Sequence, residues 1–126
     1  MVISEKKLRK MYLDLIQKII INEIYQDPPL ERSYFAGKLA KLGIYMRHDT
    51  GKTFNKNNRN SGLDWPSVAH SMIGNKRMSN LRYLLEDVIE NNVEGDFIET
   101  GVWRGGACIY AKAIIDSYGV TDRNIW

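Results

Sequence analysis

One short stretch of the chain combines an acidic residue, several glycines and a tryptophan in a pattern that suits ligand binding. Residues 95–106 read GDFIETGVWRGG. Phe97 and Ile98 predict a short buried strand that ends at Glu99, and the glycines that follow predict a tight turn into a helix. Such a turn presents backbone N–H groups at a helix N-terminus, where they can hold an anionic or polar group. We call residues 99–105 the glycine turn.

The spacing of these glycines argues against one common ligand of such turns. A dinucleotide site has the frame G-x-G-x-x-G, whereas this frame reads Gly101-x-Trp103-x-x-Gly106. Because a tryptophan stands where the pyrophosphate would approach the backbone, nicotinamide dinucleotide binding is disfavoured. The carboxylate of Glu99 could instead lie near a cationic group, such as the ammonium or sulfonium of S-adenosylmethionine. A purely structural turn stays open as the alternative, since glycine motifs also match by chance.

Three side chains near the turn each have two interpretations. Trp103 could stack on a cofactor or pack under its own helix. Arg104 could meet a cofactor carboxylate, but a solvated surface arginine is favoured. Cys108 follows a helix N-terminus, which lowers thiol pKa values, although a buried small residue is the favoured interpretation.

The N-terminal stretch has the apolar periodicity of an amphipathic helix. Ser4 can cap its start, and the prolines at positions 28 and 29 end it. Its mixed charges do not favour a lipid surface, so we expect it to pack into a core. The apolar residues expected to do so are Leu8, Tyr12, Leu15, Ile16, Ile19, Ile20 and Ile24.

Two further helices are predicted on either side of the glycine turn. Ser79 can cap the first, and the second spans residues 107–118 before Gly119. Ile125 and Trp126 look like the start of a second strand. From residue 96 the order is therefore strand, glycine turn, helix, turn and strand, which predicts an α/β fold with a parallel βαβ unit.

Composition and charge restrict the class of protein. The 126 residues suit one small domain, and the single cysteine excludes an internal disulfide and fits a cytoplasmic protein. No apolar run is long enough to span a membrane. Residues 31–60 hold seven basic side chains against two acidic ones. We expect a solvated polar loop around 48–62, with nucleic-acid binding as a weaker alternative.

Three segments together resemble the TylF-type macrocin O-methyltransferase family. The most specific is GDFIETGVWRGGACIYAKAIIDSYGVTDRNIW, which contains the run ETGVWRGG. DWPSVAHSMIGNKRMSNL and MYLDLIQKIIINEIYQDPP are also similar to family segments. The resemblance covers most of the chain and is weakest across residues 31–60.

The resemblance implies an S-adenosylmethionine-dependent enzyme that methylates sugar hydroxyls of natural products. It implies an N-terminal helical region, here 1–94, followed by the first strand, glycine loop and helix of a Rossmann-like methyltransferase fold, here 95–126 and truncated at the second strand. It also implies a magnesium ion held by carboxylates later in the fold. The implied cofactor contacts are Met72, Glu99, Thr100, Gly101, Val102, Trp103 and Gly105.

The chain departs from the family pattern at its end. Trp126 falls inside the expected second strand, so the acid expected to bind the ribose, the metal carboxylates and the catalytic region are absent. His48 and His70 lack the spacing of metal ligands, and we assign no catalytic or metal residue. We expect a mostly helical, inactive fragment that exposes apolar surface. The alternative is a non-catalytic binding module or a half-enzyme completed by another chain. The possible protein partners are a missing C-terminal half or further copies of this chain.

Overall fold

The computed structural model describes residues 3–30, 43 and 53–126. In these ranges the chain forms four α-helices, and none of them is both long and apolar enough to cross a membrane. The remaining described residues are turns and short extended segments. The helices are α1 Glu5–Ile20, α2 Lys56–Ser61, α3 Gly74–Glu90 and α4 Gly106–Ser117.

The prediction of an α/β fold with a βαβ unit is wrong for the part of the chain that the structure describes. That part contains no β-strand, and Phe97 and Ile125 form only an isolated parallel bridge. The Trp126 amide donates to the Phe97 carbonyl at 2.9 Å. A sheet needs several strands and covered faces, whereas Ile98 and Trp126 are each 67% exposed. One bridge therefore supplies too few hydrogen bonds and too little burial for a sheet.

The helix boundaries show which local signals determine the fold. Ser4 caps α1 as predicted, because its side chain accepts a hydrogen bond from the Lys7 amide. Ser79 was predicted to cap α3, but α3 begins at Gly74 and Ser79 lies inside it. The Ser79 hydroxyl instead accepts a hydrogen bond from Gln17 at 2.9 Å. A side chain inside a helix thus serves a tertiary contact.

Helix α2 occupies residues that were predicted to be part of a polar loop. Asn55 caps it by accepting hydrogen bonds from the amides of Asn57 and Asn58. Gly62 ends it with a φ of +66°. Asparagine is a strong N-cap and glycine a strong C-cap, so this run of polar residues carries its own helix signals.

The core lies where α1, α3 and α4 meet. Its centre is Tyr110 of α4, whose ring is buried and whose hydroxyl donates to Gln17 of α1 at 2.7 Å. This hydrogen bond satisfies two buried polar groups, which would otherwise be costly to bury. The other core members are Leu13, Ile20, Ile21, Met78, Leu85, Ala111, Ala113 and Ile114.

Helix α1 turns a different face to the core from the one predicted. Its buried residues are Leu13, Gln17 and Ile20. Of the predicted core positions, Ile20 is buried and Ile16 packs partly buried against the core. Most of the predicted core positions face outward: Leu8 is 59% exposed, and Tyr12, Leu15, Ile19 and Ile24 are between 44% and 51% exposed. The helix is apolar on more than one side, and Gln17 is directed inward because it pairs with Tyr110 and Ser79. The predicted exposure of apolar surface is confirmed on this face.

Candidate functional site

The glycine turn has a backbone that only glycine adopts readily at two positions. Gly101 has a φ of +108° and Gly105 a φ of +75°. An added Cβ at either position would meet nothing within 4 Å. The glycines are therefore required by backbone conformation, and the space beside them is open to a ligand.

Gly106 is required for a different reason, namely close packing. A Cβ there would lie 2.6 Å from the His70 carbonyl oxygen and 2.7 Å from the Ser71 side chain. The Gly106 amide donates to the His70 carbonyl at 3.1 Å. The start of α4 thus rests directly on the segment formed by residues 67–71.

The 67–71 segment links the glycine turn to α1. On one side, Arg104 donates from Nη1 to the carbonyls of Ser67 at 3.1 Å and Ala69 at 3.0 Å. On the other side, the amides of His70 and Ser71 donate to the Ile20 carbonyl at 3.0 and 3.3 Å. The position of the turn is therefore coupled to the C-terminal end of α1.

A buried ion network holds the same segment from beneath. Arg59 is 1% exposed and donates to Asp27 at 2.8 Å and to Asp64 at 2.9 Å. The other oxygen of Asp27 accepts from the Val68 amide at 2.7 Å. Burial pushes the pKa of Asp27 upward, but the Val68 amide and the Arg59 guanidinium outweigh it and leave the pKa below its ordinary value.

This network was not predicted, because Arg59 lies in a basic stretch that was expected to be solvated. The spacing of Arg59 and Asp64, five residues apart around Gly62, was the one available signal. The third member, Asp27, is 32 positions from Arg59 in the chain. A pair separated by that distance carries no local pattern.

Glu99 lies beside α4 and pairs with Cys108. The Cys108 thiol donates to Glu99 Oε2 at 2.9 Å. Burial and the neighbouring Glu99 carboxylate raise the pKa of Cys108 to about 11. The cysteine is therefore a neutral hydrogen-bond donor at physiological pH, and the effect of the helix N-terminus does not dominate. Half-buried Glu99 keeps a second carboxylate oxygen for other partners.

The ring of Trp103 is half-buried and packs on protein groups. It meets the ring of Trp65 edge-to-face with centroids 5.9 Å apart. The Arg104 guanidinium lies 4.1 Å from the Trp103 ring centroid. These contacts already occupy part of the Trp103 ring. Stacking of the ring on a cofactor stays a prediction.

The remaining predicted cofactor residues are brought into one region. Thr100, Gly101 and Val102 are exposed on the turn, and Gly105 directly precedes α4. Met72 is half-buried and follows the 67–71 segment. Two stretches that were predicted separately thus meet at the start of α4, through the contact of Gly106 with His70 and Ser71.

The described residues do not offer a magnesium site. Across 3–30, 43 and 53–126, no group of three or more histidine, cysteine, aspartate or glutamate side chains could hold a metal ion. The donor set of these described residues does not fit the implied magnesium. His48 and most of the basic stretch behind the nucleic-acid alternative lie outside the described residues.

Comparisons with known proteins identify the family. Residues 9–126 match the family model described as Macrocin-O-methyltransferase (TylF). The chain is 44% identical over 116 residues to demethyldecarbamoylnovobiocin O-methyltransferase of Streptomyces niveus. This alignment covers 92% of the chain and 39% of the relative. It is 43% identical over 117 residues to mycinamicin III 3''-O-methyltransferase of Micromonospora griseorubida, covering 93% and 41%.

The fold comparison agrees with these matches. The chain superposes on the solved structure of the O-methyltransferase NovP with a TM-score of 0.75 at 42% identity. The superposition covers 94% of this chain and 40% of the other. The chain thus spans about 40% of the length of the curated relatives it matches. By its match over residues 9–126, the chain belongs to the macrocin-O-methyltransferase (TylF) family.

Proposed function

We propose that this chain is the cofactor-binding N-terminal part of an S-adenosylmethionine-dependent O-methyltransferase that acts on a sugar hydroxyl of a natural product. The observation that carries the proposal is the glycine turn: two positive-φ glycines beside open space, next to a half-buried carboxylate. The activities named for the relatives support the reaction class. One is a mycinamicin 3''-O-methyltransferase and another a 4'-O-methyltransferase of a rhamnosyl tetracenomycin, 40% identical over 118 residues.

The residues of the turn have distinct roles in this proposal. The Glu99 carboxylate attracts the ammonium group of the cofactor, and Cys108 orients that carboxylate through its thiol. Gly101 and Gly105 keep the backbone free of side chains so that a ligand can approach it. We assign further cofactor contacts to Thr100, Val102, Trp103 and Met72. The bound cofactor would supply a methyl group on a sulfonium centre.

The two parts of the chain have different roles in this proposal. The described helices before residue 95 support the turn, and residues 95–126 supply most of the cofactor contacts. In-line methyl transfer requires that the acceptor hydroxyl and the methyl donor be held close together and aligned. We assign the acceptor contacts and any metal carboxylates to the part of the family fold that lies beyond this match.

Calorimetric titration with S-adenosylhomocysteine tests the proposal. We expect wild-type binding and a rise in melting temperature through ligand linkage. Glu99→Gln should weaken binding by about tenfold or more, since hydrogen bonds to charged groups contribute about 1.5–3 kcal/mol. Glu94→Gln, at an exposed position before the turn, is the matched control and should bind normally. Gly101→Val should also abolish binding, because valine disfavours a φ of +108°.

The outcomes separate the candidate functions. Absence of binding to the wild type contradicts the proposal, and so does equal binding by Glu99→Gln and Glu94→Gln. Cofactor binding without methyl transfer favours the alternative, a binding module or a half-enzyme completed by another chain.

A further inference from the structure

We propose that Arg104 is a positioning residue that holds the glycine turn in its ligand-binding conformation, and that it does not pair with the cofactor carboxylate. The inference rests on the proposed function and adds to it a residue outside the predicted cofactor contacts. Arg104 would hold the backbone of the turn in the same way whichever ligand binds there.

The contacts of Arg104 are made to the protein itself. Nη1 donates to two carbonyls of the 67–71 segment, at 3.1 and 3.0 Å. The guanidinium plane lies on the Trp103 ring at 4.1 Å from its centroid. A planar guanidinium can stack and donate at the same time, whereas a lysine ammonium cannot reproduce this geometry. The Arg104 side chain thus connects the Trp103 ring to the 67–71 segment.

The segment that Arg104 contacts is itself held on its opposite side. Asp27 accepts hydrogen bonds from the Val68 amide at 2.7 Å and the Ser67 hydroxyl at 3.1 Å. The amide of Val68 therefore bonds to Asp27, while the carbonyls on either side of it bond to Arg104. The Ala69 amide also donates to Asp27, at 3.4 Å. The segment is therefore held by Asp27 through its amides and by Arg104 through its carbonyls.

The start of α4 depends on that support. Gly105 is the N-cap residue and makes no side-chain capping hydrogen bond. The Gly106 amide is instead satisfied by the His70 carbonyl at 3.1 Å. This bond requires the turn to stay in contact with the 67–71 segment, and Arg104 adds two hydrogen bonds that keep it there. Loss of Arg104 should loosen the turn even when no ligand is bound.

Two variants of Arg104 and one control separate positioning from charge. Arg104→Lys keeps the positive charge but loses the planar guanidinium with its fixed N–H donors, and Arg104→Met loses both. Lys112→Met removes an exposed charge from the outer side of α4 and serves as the control. Two properties are measured: hydrogen exchange of the Gly106 amide without ligand, and affinity for S-adenosylhomocysteine at low and high salt.

In both Arg104 variants we expect faster hydrogen exchange of the Gly106 amide. We also expect both to bind S-adenosylhomocysteine about tenfold more weakly, with the salt dependence of binding unchanged. Lys112→Met should match the wild type in both measurements. Wild-type behaviour of Arg104→Lys overturns the proposal, because charge alone would then suffice. Unchanged exchange together with weaker binding that has lost its salt dependence overturns it in favour of a direct ion pair. If the wild type binds no S-adenosylhomocysteine, the proposed function fails, and Gly106 exchange alone decides whether Arg104 holds the turn.

Discussion

The glycine turn is supported on two sides, and the two supports differ in how they stabilise the backbone. On one side, the 67–71 segment joins the turn to a buried network around Arg59 and Asp27. On the other, Phe97 meets Ile125 in one parallel bridge, flanked by Ile98 and Trp126 at 67% exposure. Both sides satisfy backbone hydrogen bonds, but only the first rests on a buried ion network. Hydrogen bonding by itself therefore does not decide which side is rigid.

The largest effect should come from breaking the buried network. Arg59→Met leaves Asp27 and Asp64 buried without their cation, which should cost about 3–5 kcal/mol in the free energy of unfolding. Urea denaturation followed by circular dichroism measures this value. Lys56→Met, whose ion pair with Glu23 is largely exposed at the lysine end, is the control and should change stability by less than about 1 kcal/mol. Similar values for both variants would mean that the network is not the rigid support.

A smaller effect should follow from filling the contact between turn and segment. Gly106→Ala places a Cβ 2.6 Å from the His70 carbonyl oxygen, and overpacking of this kind costs about 1–3 kcal/mol. The matched control is Gly119→Ala, where the φ is +69° but nothing lies within 4 Å. Its cost comes from backbone conformation alone, about 1 kcal/mol. If Gly106→Ala is not the more destabilising of the two in thermal unfolding, the close packing inferred here is incorrect.

Acid should affect the two sides unequally. The pKa of Asp27 is lowered from 3.8, so its stabilising contribution is complete above pH 3.8 and is lost as the pH falls through its lower folded value. Asp27→Asn should therefore flatten the loss of stability between neutral and acidic pH. Asp96 on the bridge side also has a lowered pKa, held by the Asn124 amide, but its carboxylate is exposed. Asp96→Asn should flatten the profile less, and an equal or greater flattening would contradict the contrast.

The smallest effect should come from the bridge side. Ile98→Thr replaces a side chain that is 67% exposed by another β-branched one, so we expect a change within about 0.5 kcal/mol. Chemical denaturation of the purified variant measures it. A loss above about 2 kcal/mol would show that residues 97–98 are buried in the folded state, and the contrast between the two supports would then disappear.

Local signals account for the parts of the fold that were predicted correctly. The Ser4 cap, the glycine turn and the helix that follows it depend on neighbours within a few residues. The family resemblance rests on the same kind of contiguous pattern, and the match over residues 9–126 confirms it. The cofactor contacts from Glu99 to Gly105 stay predictions, but the structure places them on one continuous turn.

Non-local pairing explains the errors. The βαβ prediction took an apolar dipeptide for a strand, although a strand needs partners that lie elsewhere in the chain. The prediction for α1 selected one of two apolar faces, and Gln17 decided the orientation by pairing with Tyr110. Arg104 is exposed, as predicted. Its hydrogen bonds to the Ser67 and Ala69 carbonyls were not predicted, because nothing in the sequence shows that these carbonyls lie within its reach.

By itself, the sequence determined where the chain must bend and where it can form helices. The covalent chemistry of single residues allows the positive φ at Gly101 and Gly105 and the cap at Ser4. The tertiary structure alone decided which polar groups could be buried and which apolar face would be covered. Arg59 could become 1% exposed only because Asp27 and the Ile21 carbonyl lie beside it. A buried charge depends on partners brought from distant parts of the chain, and those partners exist only once the helices have packed.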